Sequence, residues 1–180
     1  MAIRRHLYQD LEEDLIIEDF VLSLRVVEKG WRAVYEPEAV AWEEEVPSLR
    51  GDWIRHTRIA AGGFQSLSRL RSLARLKPAL QGFQFWSHRM LRWVVTPCCW
   101  GIMLGSNAVL ASRPLYGLLL ALQFVFYVLA GAGYVVVRSG RRYKLLQIPL
   151  FMCLLNGAAL VGGYRYLTGR QSVLWERARS

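Results

Sequence analysis

The stretch 113–138 reads RPLYGLLLALQFVFYVLAGAGYVVVR and has no charge between its two terminal arginines. A helix of roughly 20 mostly apolar residues is long enough to cross a lipid bilayer. Two further uncharged windows flank this stretch, at 93–112 and 145–164. The sequence therefore predicts a transmembrane region over 93–167, with its central span at 114–137.

Charge is divided unevenly along the 180 residues, which are 53% hydrophobic and have a net charge of +9. Thirteen of the 14 acidic residues lie between Asp10 and Asp52, and the other is Glu176. Cations that border apolar runs are typical of the cytoplasmic side of a membrane protein. Because the basic residues flank apolar runs instead of forming one polar face, we expect membrane lipid and no nucleic acid as a partner.

The loops between the apolar windows predict an orientation. RSGRRYK, at 138–144, has four cations and is expected in the cytoplasm, whereas ASRP, at 111–114, has one and is expected outside. The N-terminal part is then cytoplasmic. The basic tail 168–180 stays open: three spans place it outside, yet its charge favours the inside. Either the third window is re-entrant or the charge rule is overridden there.

The region 53–92 joins the acidic and apolar parts, and its residues 53–76 mix leucines with arginines at helical spacing. This pattern is typical of an amphipathic helix that lies in the membrane interface. The pair Gly62-Gly63 indicates either a break or a close approach of the backbone. The tryptophans expected as interfacial anchors of the first span are Trp86, Trp93 and Trp100.

The N-terminal region 1–52 reads as helix followed by strand. Residues 19–29 predict a helix, and Gly30 is a plausible residue just past its end. WRAVYEP, at 31–37, alternates as a short strand, and AVAWEEE, at 39–45, is a second candidate. About fifty such residues cannot bury a core of their own. We therefore predict the remnant of an α/β domain.

Two polar groups in these regions are candidates for chemistry. Glu18 and Asp19 either cap a helix or supply a general base, which takes the proton from an acceptor hydroxyl. Arg55 and Arg58 lie on one helix face, where they either reach lipid headgroups or contact a diphosphate. The cysteines lie in apolar runs, and the three histidines match no ligand spacing, so we predict no metal ligand.

Three motifs together resemble the C-terminal part of family-two membrane glycosyltransferases, the relatives of cellulose, hyaluronan and chitin synthases. They are E-D-F-x-L-x-x-R from Glu18, G-W-R-x-x-Y-E-P-x-A from Gly30, and R-x-x-R-x-x-x-G-x-x-Q from Arg55. The resemblance implies the end of a GT-A-like nucleotide-sugar domain, an interfacial amphipathic helix and about three transmembrane helices. It also implies a multi-pass protein of the cell inner membrane.

Site residues follow from the same resemblance. Asp19 matches the catalytic base of the family, with Glu18 beside it. Arg55 and Arg58 are implied to contact diphosphate or acceptor, with Gln65 in support. Processive members have Gln-x-x-Arg-Trp where this chain has Arg55, Arg58 and Ile59, so the departure favours a non-processive or unspecified transferase.

The family also has a donor-binding half, in which an Asp-x-Asp motif holds divalent Mg or Mn against the nucleotide sugar. This sequence contains no Asp-x-Asp. The expected function is therefore an inverting membrane glycosyltransferase with a lipid or polysaccharide acceptor, present as a fragment that is inactive alone. The alternative is a non-catalytic membrane anchor or split-gene subunit, which partners a separately encoded donor-binding half.

Overall fold

The structure is a computed structural model, and it describes residues 2–42, 48–69, 83, 87–88, 91–141 and 143–173. Several expectations fall outside these residues. They are the Trp86 anchor, the end of the amphipathic helix after Arg69, residues 43–45 of the second strand candidate and the end of the basic tail.

Five α-helices follow one another in the described residues, and they span Glu18–Glu28 (α1), Leu49–Arg69 (α2), Thr96–Val109 (α3), Pro114–Arg138 (α4) and Lys144–Leu167 (α5). A short 3-10 turn, Arg5–Leu7, precedes them, and a π-helical turn, Leu91–Val95, leads into α3. The helix predicted at 19–29 is confirmed as α1. Gly30, just past its end, has a φ of 84°, which glycine adopts without strain.

Helices α4 and α5 are both long and apolar enough to cross a membrane. Their bounds agree with the windows 114–137 and 145–164 to within three residues at each end. Only 17% of the most apolar 18-residue window of α4 is buried, and 28% of that of α5. The core helix of a soluble protein would bury most of its apolar surface. In α4 and α5, by contrast, most of this surface is not covered by the described residues.

The first predicted span, 93–112, differs from the expectation. It begins within the π-helical turn Leu91–Val95 and continues as α3, whose 14 residues extend only about 21 Å. Among the described residues, the helices long enough to span are thus two, not three. An amide pair joins α3 to α4, in which buried Asn107 donates to Gln123 at 3.2 Å. Gln123 in turn donates to the Tyr127 hydroxyl at 3.0 Å.

Small residues let α2 pack closely on the second half of α5. A Cβ built on Gly162 would lie 2.6 Å from the Thr57 carbonyl oxygen and 2.7 Å from the Cβ of Ala60. One on Gly163 would lie 2.8 Å from the ring of Phe64. The predicted amphipathic helix therefore exists as α2, but it rests on another helix along most of its length.

The Gly62-Gly63 pair lies inside α2, which runs through it without a break. The two glycines are buried, and each meets a neighbour. A Cβ on Gly62 would lie 2.7 Å from Ile17, and one on Gly63 would lie 2.0 Å from the Trp93 ring. The close approach is confirmed and the break is wrong. Trp93, expected as an anchor at the membrane interface, is instead buried against α2.

Residues Trp31–Trp42 form no strand, and the structure shows none elsewhere in its described residues, so the α/β remnant is not seen. Every residue of this segment is exposed. Val34 is 84% exposed, Tyr35 86% and Trp42 94%. A strand exists only when a neighbouring strand takes up its N–H and C=O groups, and the described residues offer none to this segment.

Candidate functional site

The acid pair forms the first turn of α1, which begins at Glu18. The backbone amide of Phe20 donates to Oδ1 of Asp19 at 2.8 Å. Both carboxylates are exposed, and negative charge is favourable at a helix N-terminus. The first turn thus presents two ionisable oxygen groups to solvent from a rigid element, with one oxygen of Asp19 oriented by the backbone.

Apolar residues on both sides of the pair fasten it to the rest of the fold. Leu15 and Ile16 are each 5% exposed, and Val21 is fully buried. Phe20 packs against a cluster that α2, α5 and the π-helical turn share. Its buried members are Ala60, Leu67, Trp93 and Ala159. Burial of the neighbours therefore fixes where the exposed carboxylates stand.

Gln65 holds the chain immediately before the acid pair. Its Oε1 accepts a hydrogen bond from the Ile16 amide at 2.9 Å. Its Nε2 donates to the Asp14 carbonyl at 2.8 Å. Gln65 is 6% exposed, so the main-chain groups of this segment are satisfied inside the protein. The structure thus places this predicted substrate-binding residue against the backbone that leads to Asp19.

Two ion pairs lie around the same segment. Arg69, at the end of α2, bonds the Asp14 carboxylate, and Arg25 of α1 bonds Glu12. The hydrogen bond from Arg69 lowers the pKa of Asp14, and the one from Arg25 lowers the pKa of Glu12. The Asp14 carboxylate in turn raises the pKa of Arg69. The acidic stretch before α1 is thus tied to helical arginines as well as to Gln65.

The two predicted arginines lie earlier on α2. Arg58 and Arg55 precede Gln65 by seven and ten residues, or about 10 and 15 Å along the helix axis. Both are half-buried. A guanidinium nitrogen of Arg58 donates to the Val173 carbonyl at 3.1 Å, so the chain that follows α5 lies beside α2. The structure thus brings Gln65 to the acid-pair segment and Arg58 to the start of the tail.

The segment 2–8 meets the chain just after α1. The His6 ring stands 5.9 Å from the Trp31 ring, edge to face. The guanidinium of Arg4 lies 5.8 Å from the centre of the same ring. Arg4 and His6 therefore flank an aromatic surface at the far end of α1 from the acid pair.

A cavity of about 340 Å³ lies between α2, the π-helical turn and α5. His56, Arg92 and Asn156 are among its polar groups, and Ile59 lies in its wall. Sequence reasoning did not single out these three polar residues. Their separation along the chain leaves no local spacing to recognise, because only the packing of α2 on α5 brings them together.

Metal binding has no support in the described residues. None of their His, Cys, Asp and Glu side chains form a group of three or more that could hold an ion. Hard divalent cations such as Mg²⁺ need several oxygen ligands. The acid-pair turn by itself supplies two carboxylates.

A comparison with family models now adds to this geometry. The model described as glycosyl transferase family group 2 matches residues 1–161, which is most of the chain. The chain belongs to this family. The match includes the acid pair, all of α2 and the helices through most of α5. Comparisons with curated proteins and with solved structures give no match. The resemblance read from the three sequence motifs is therefore confirmed over residues 1–161.

Proposed function

We propose that this glycosyltransferase region forms the acceptor side of an inverting, membrane-bound enzyme that transfers a sugar from a nucleotide donor to a lipid or polysaccharide. The single observation that carries the proposal is the acid-pair turn. Glu18 and Asp19 are exposed at the start of a helix that Gln65 and buried apolar neighbours hold in place. A general base needs this combination of access and fixed position.

Asp19 is the proposed catalytic base. It takes the proton from the acceptor hydroxyl while that oxygen attacks the anomeric carbon from the face opposite the diphosphate. The carbon–oxygen bond to the diphosphate breaks, and the nucleoside diphosphate leaves with the bonding electrons. Glu18 adds negative charge beside the base. Arg55 and Arg58 are proposed to contact the departing diphosphate or the acceptor, since guanidinium groups match phosphate oxygens.

The donor pocket, with its divalent Mg or Mn, is proposed to come from other residues, because this sequence has no Asp-x-Asp motif. They belong either to the same polypeptide or to a separately encoded subunit. The exposed segment Trp31–Trp42 supports a docked second half, since Val34, Tyr35 and Trp42 offer it an apolar surface. The same surface favours the alternative function, a non-catalytic membrane subunit that anchors such a half.

The inner membrane is the proposed location, with α4 and α5 as spans. The cytoplasmic N-terminal part expected from three spans does not follow from two, because a cytoplasmic loop between α4 and α5 puts the chain before α4 on the opposite side. Both helices leave most of their apolar surface exposed, which suits a lipid environment. The four cations of 138–144 favour a cytoplasmic position for the loop between them.

The test of the base is Asp19→Asn in membranes that contain the complete enzyme. We expect transfer to fall by at least about a hundredfold, since positioned acid–base groups contribute on the order of 10² to 10⁴ in rate. Binding of the nucleotide sugar, measured separately, should be unchanged. Near-normal transfer would refute the assignment. Asp10→Asn, the same substitution outside the motif, is the matched control and should retain activity.

The enzyme and the anchor hypotheses differ in what accompanies the chain. An epitope placed at the C-terminus at the chromosomal locus gives the size of the native product. A band near 20.7 kDa indicates that the donor half is a separate subunit or that the chain is a non-catalytic anchor. A product of roughly twice that mass indicates that the donor-binding half lies on the same polypeptide, since the added mass is that of a whole domain.

A further inference from the structure

A second cleft lies at the opposite end of α2 from the acid pair. It measures about 770 Å³ and opens between the first turns of α2, the end of α4 and the first half of α5. A volume of this order accommodates a ligand of drug or lipid-chain size. Arg50, at this end of α2, precedes Gln65 by 15 residues, or about 22 Å along the helix. The cleft is thus separate from the acid-pair turn.

Most of the cleft wall is apolar. Trp53 comes from α2, Val137 from α4, and Leu150 and Leu154 from α5. A soluble ligand such as a sugar or a nucleotide would meet few hydrogen-bonding groups on these side chains. A hydrocarbon chain, in contrast, would replace water along the whole wall and gain free energy from burial.

Two arginines give the same cleft a cationic end. Arg50 is exposed in the first turn of α2, and Arg138 is the last residue of α4. The Arg138 guanidinium stands 5.8 Å from the centre of the Tyr134 ring, which also lines the cleft. Among the described residues that line it, no acid offsets these two charges. A ligand that fits must therefore combine an anionic group with an apolar chain.

We propose that this cleft binds an anionic membrane phospholipid. Its phosphate lies between Arg50 and Arg138, and an acyl chain follows Trp53, Leu150 and Leu154. Arg138 also begins the four-cation loop 138–144, and basic pockets between spanning helices at that side of a membrane bind anionic headgroups. The proposal rests on the membrane location given under the proposed function, and it assigns the lipid a binding role apart from the acceptor.

Native mass spectrometry of the detergent-solubilised full chain tests the site, after incubation with equal amounts of phosphatidylglycerol and phosphatidylcholine. We expect phosphatidylglycerol to remain bound in preference. The double variant Arg50→Gln/Arg138→Gln should lower its retention by roughly thirtyfold, since each of the two cations near a headgroup contributes about 1 kcal/mol. Arg113→Gln, at the other end of α4, removes a matched charge away from the cleft and should retain the preference.

Circular dichroism of each variant shows whether its helices remain. Equal retention of the two lipids, or an equal loss in Arg113→Gln, would overturn the proposal. Displacement of phosphatidylglycerol by millimolar inorganic phosphate would overturn it too, because the site would then recognise a free anion. If the double variant unfolds, Trp53→Ala, which removes cleft wall but no charge, must lower retention for the proposal to stand.

This measurement needs no sugar transfer, so it separates two failures. Should Asp19→Asn leave transfer intact while lipid retention follows the two arginines, the catalytic assignment fails and the lipid site stands. Should the chain remain in solution without detergent, the membrane location fails, and the lipid site fails with it.

Discussion

Two segments that meet at Gly30 contrast in how the rest of the molecule holds them. In the first, residues 14–28, Leu15 and Ile16 are 5% exposed and Val21 is not exposed at all. In the second, residues 31–42, every residue is exposed. Both contain apolar side chains at regular spacing and both belong to the matched family region. The contrast therefore arises from their neighbours and not from their composition.

The first segment has a partner within this chain. The buried face of α2 supplies Gly62 for close contact and Gln65 for two backbone hydrogen bonds. The second segment has apolar side chains that face solvent, which is the surface we assign to a donor-binding half. A regular apolar pattern thus indicates that a surface will be covered, but whether by this chain or another depends on long-range contacts.

The largest expected effect compares two valines, one in each segment. Val21→Ala should lower the free energy of unfolding by about 2–3 kcal/mol, because it removes two buried methyl groups and leaves a cavity. Val34→Ala should change it by less than about 0.5 kcal/mol. Chemical denaturation in detergent measures both. Equal losses would show that 31–42 is packed on this chain after all.

The contact between α2 and α5 supports the first segment indirectly. Gly162→Ala should destabilise the protein by about 1–3 kcal/mol, since the new Cβ meets a backbone oxygen of Thr57 that cannot move alone. Gly105→Ala is the matched control, because a Cβ there meets nothing within 4 Å. Thermal unfolding in the same detergent compares them. A neutral Gly162→Ala would mean that the two helices do not pack this closely.

Removing the two hydrogen bonds that Gln65 makes to the backbone should loosen residues 14–17 and leave 31–42 unchanged. Gln65→Leu removes the partners of the Ile16 amide and the Asp14 carbonyl, at a cost of about 1–2 kcal/mol. Hydrogen exchange of the Ile16 amide should accelerate, while exchange in 31–42 stays as it is. Gln9→Leu, the same substitution away from these hydrogen bonds, serves as the control. In the complete enzyme we also expect transfer to fall.

The smallest expected effect concerns pH. The pKa values of Glu12 and Asp14 are lowered in the fold, so their ion pairs stabilise it above the unfolded pKa values. This contribution is lost as the pH falls through the lowered values. Because both carboxyls are exposed, salt should weaken the effect. Asp14→Asn should reduce the acid dependence of exchange at Ile16, and unchanged acid dependence would contradict the pairing with Arg69.

Much of the helical structure follows from local pattern. The apolar windows located α4 and α5, and Gly30 marked the end of α1, because helix length and capping depend on near neighbours. The strand at 31–37 was wrong, because a strand depends on a partner that local sequence does not reveal. The shortened first span was missed too, since the π-helical turn interrupts a run of uniform hydropathy.

In the candidate site too, local sequence predicts some features and long-range contacts decide the others. The motifs identified Glu18 and Asp19, and the structure puts them on the first turn of a helix as expected. The contacts of Gln65 join residues 49 and 51 positions apart, so no spacing rule could indicate them. The two cleft arginines likewise come together only through the packing of α2 beside α4 and α5. Roles in transfer remain predictions.

The amide pair that joins α3 to α4 limits how the two helices can turn about their own axes. Apolar helix faces are interchangeable in lipid, since any of them meets hydrocarbon equally well. The hydrogen bond between Asn107 and Gln123, extended to Tyr127, has one geometry only. It fixes the rotational register of α3 and α4, that is, how each helix is turned about its own axis. Through that register, three side chains decide which apolar faces of α3 and α4 turn away from each other.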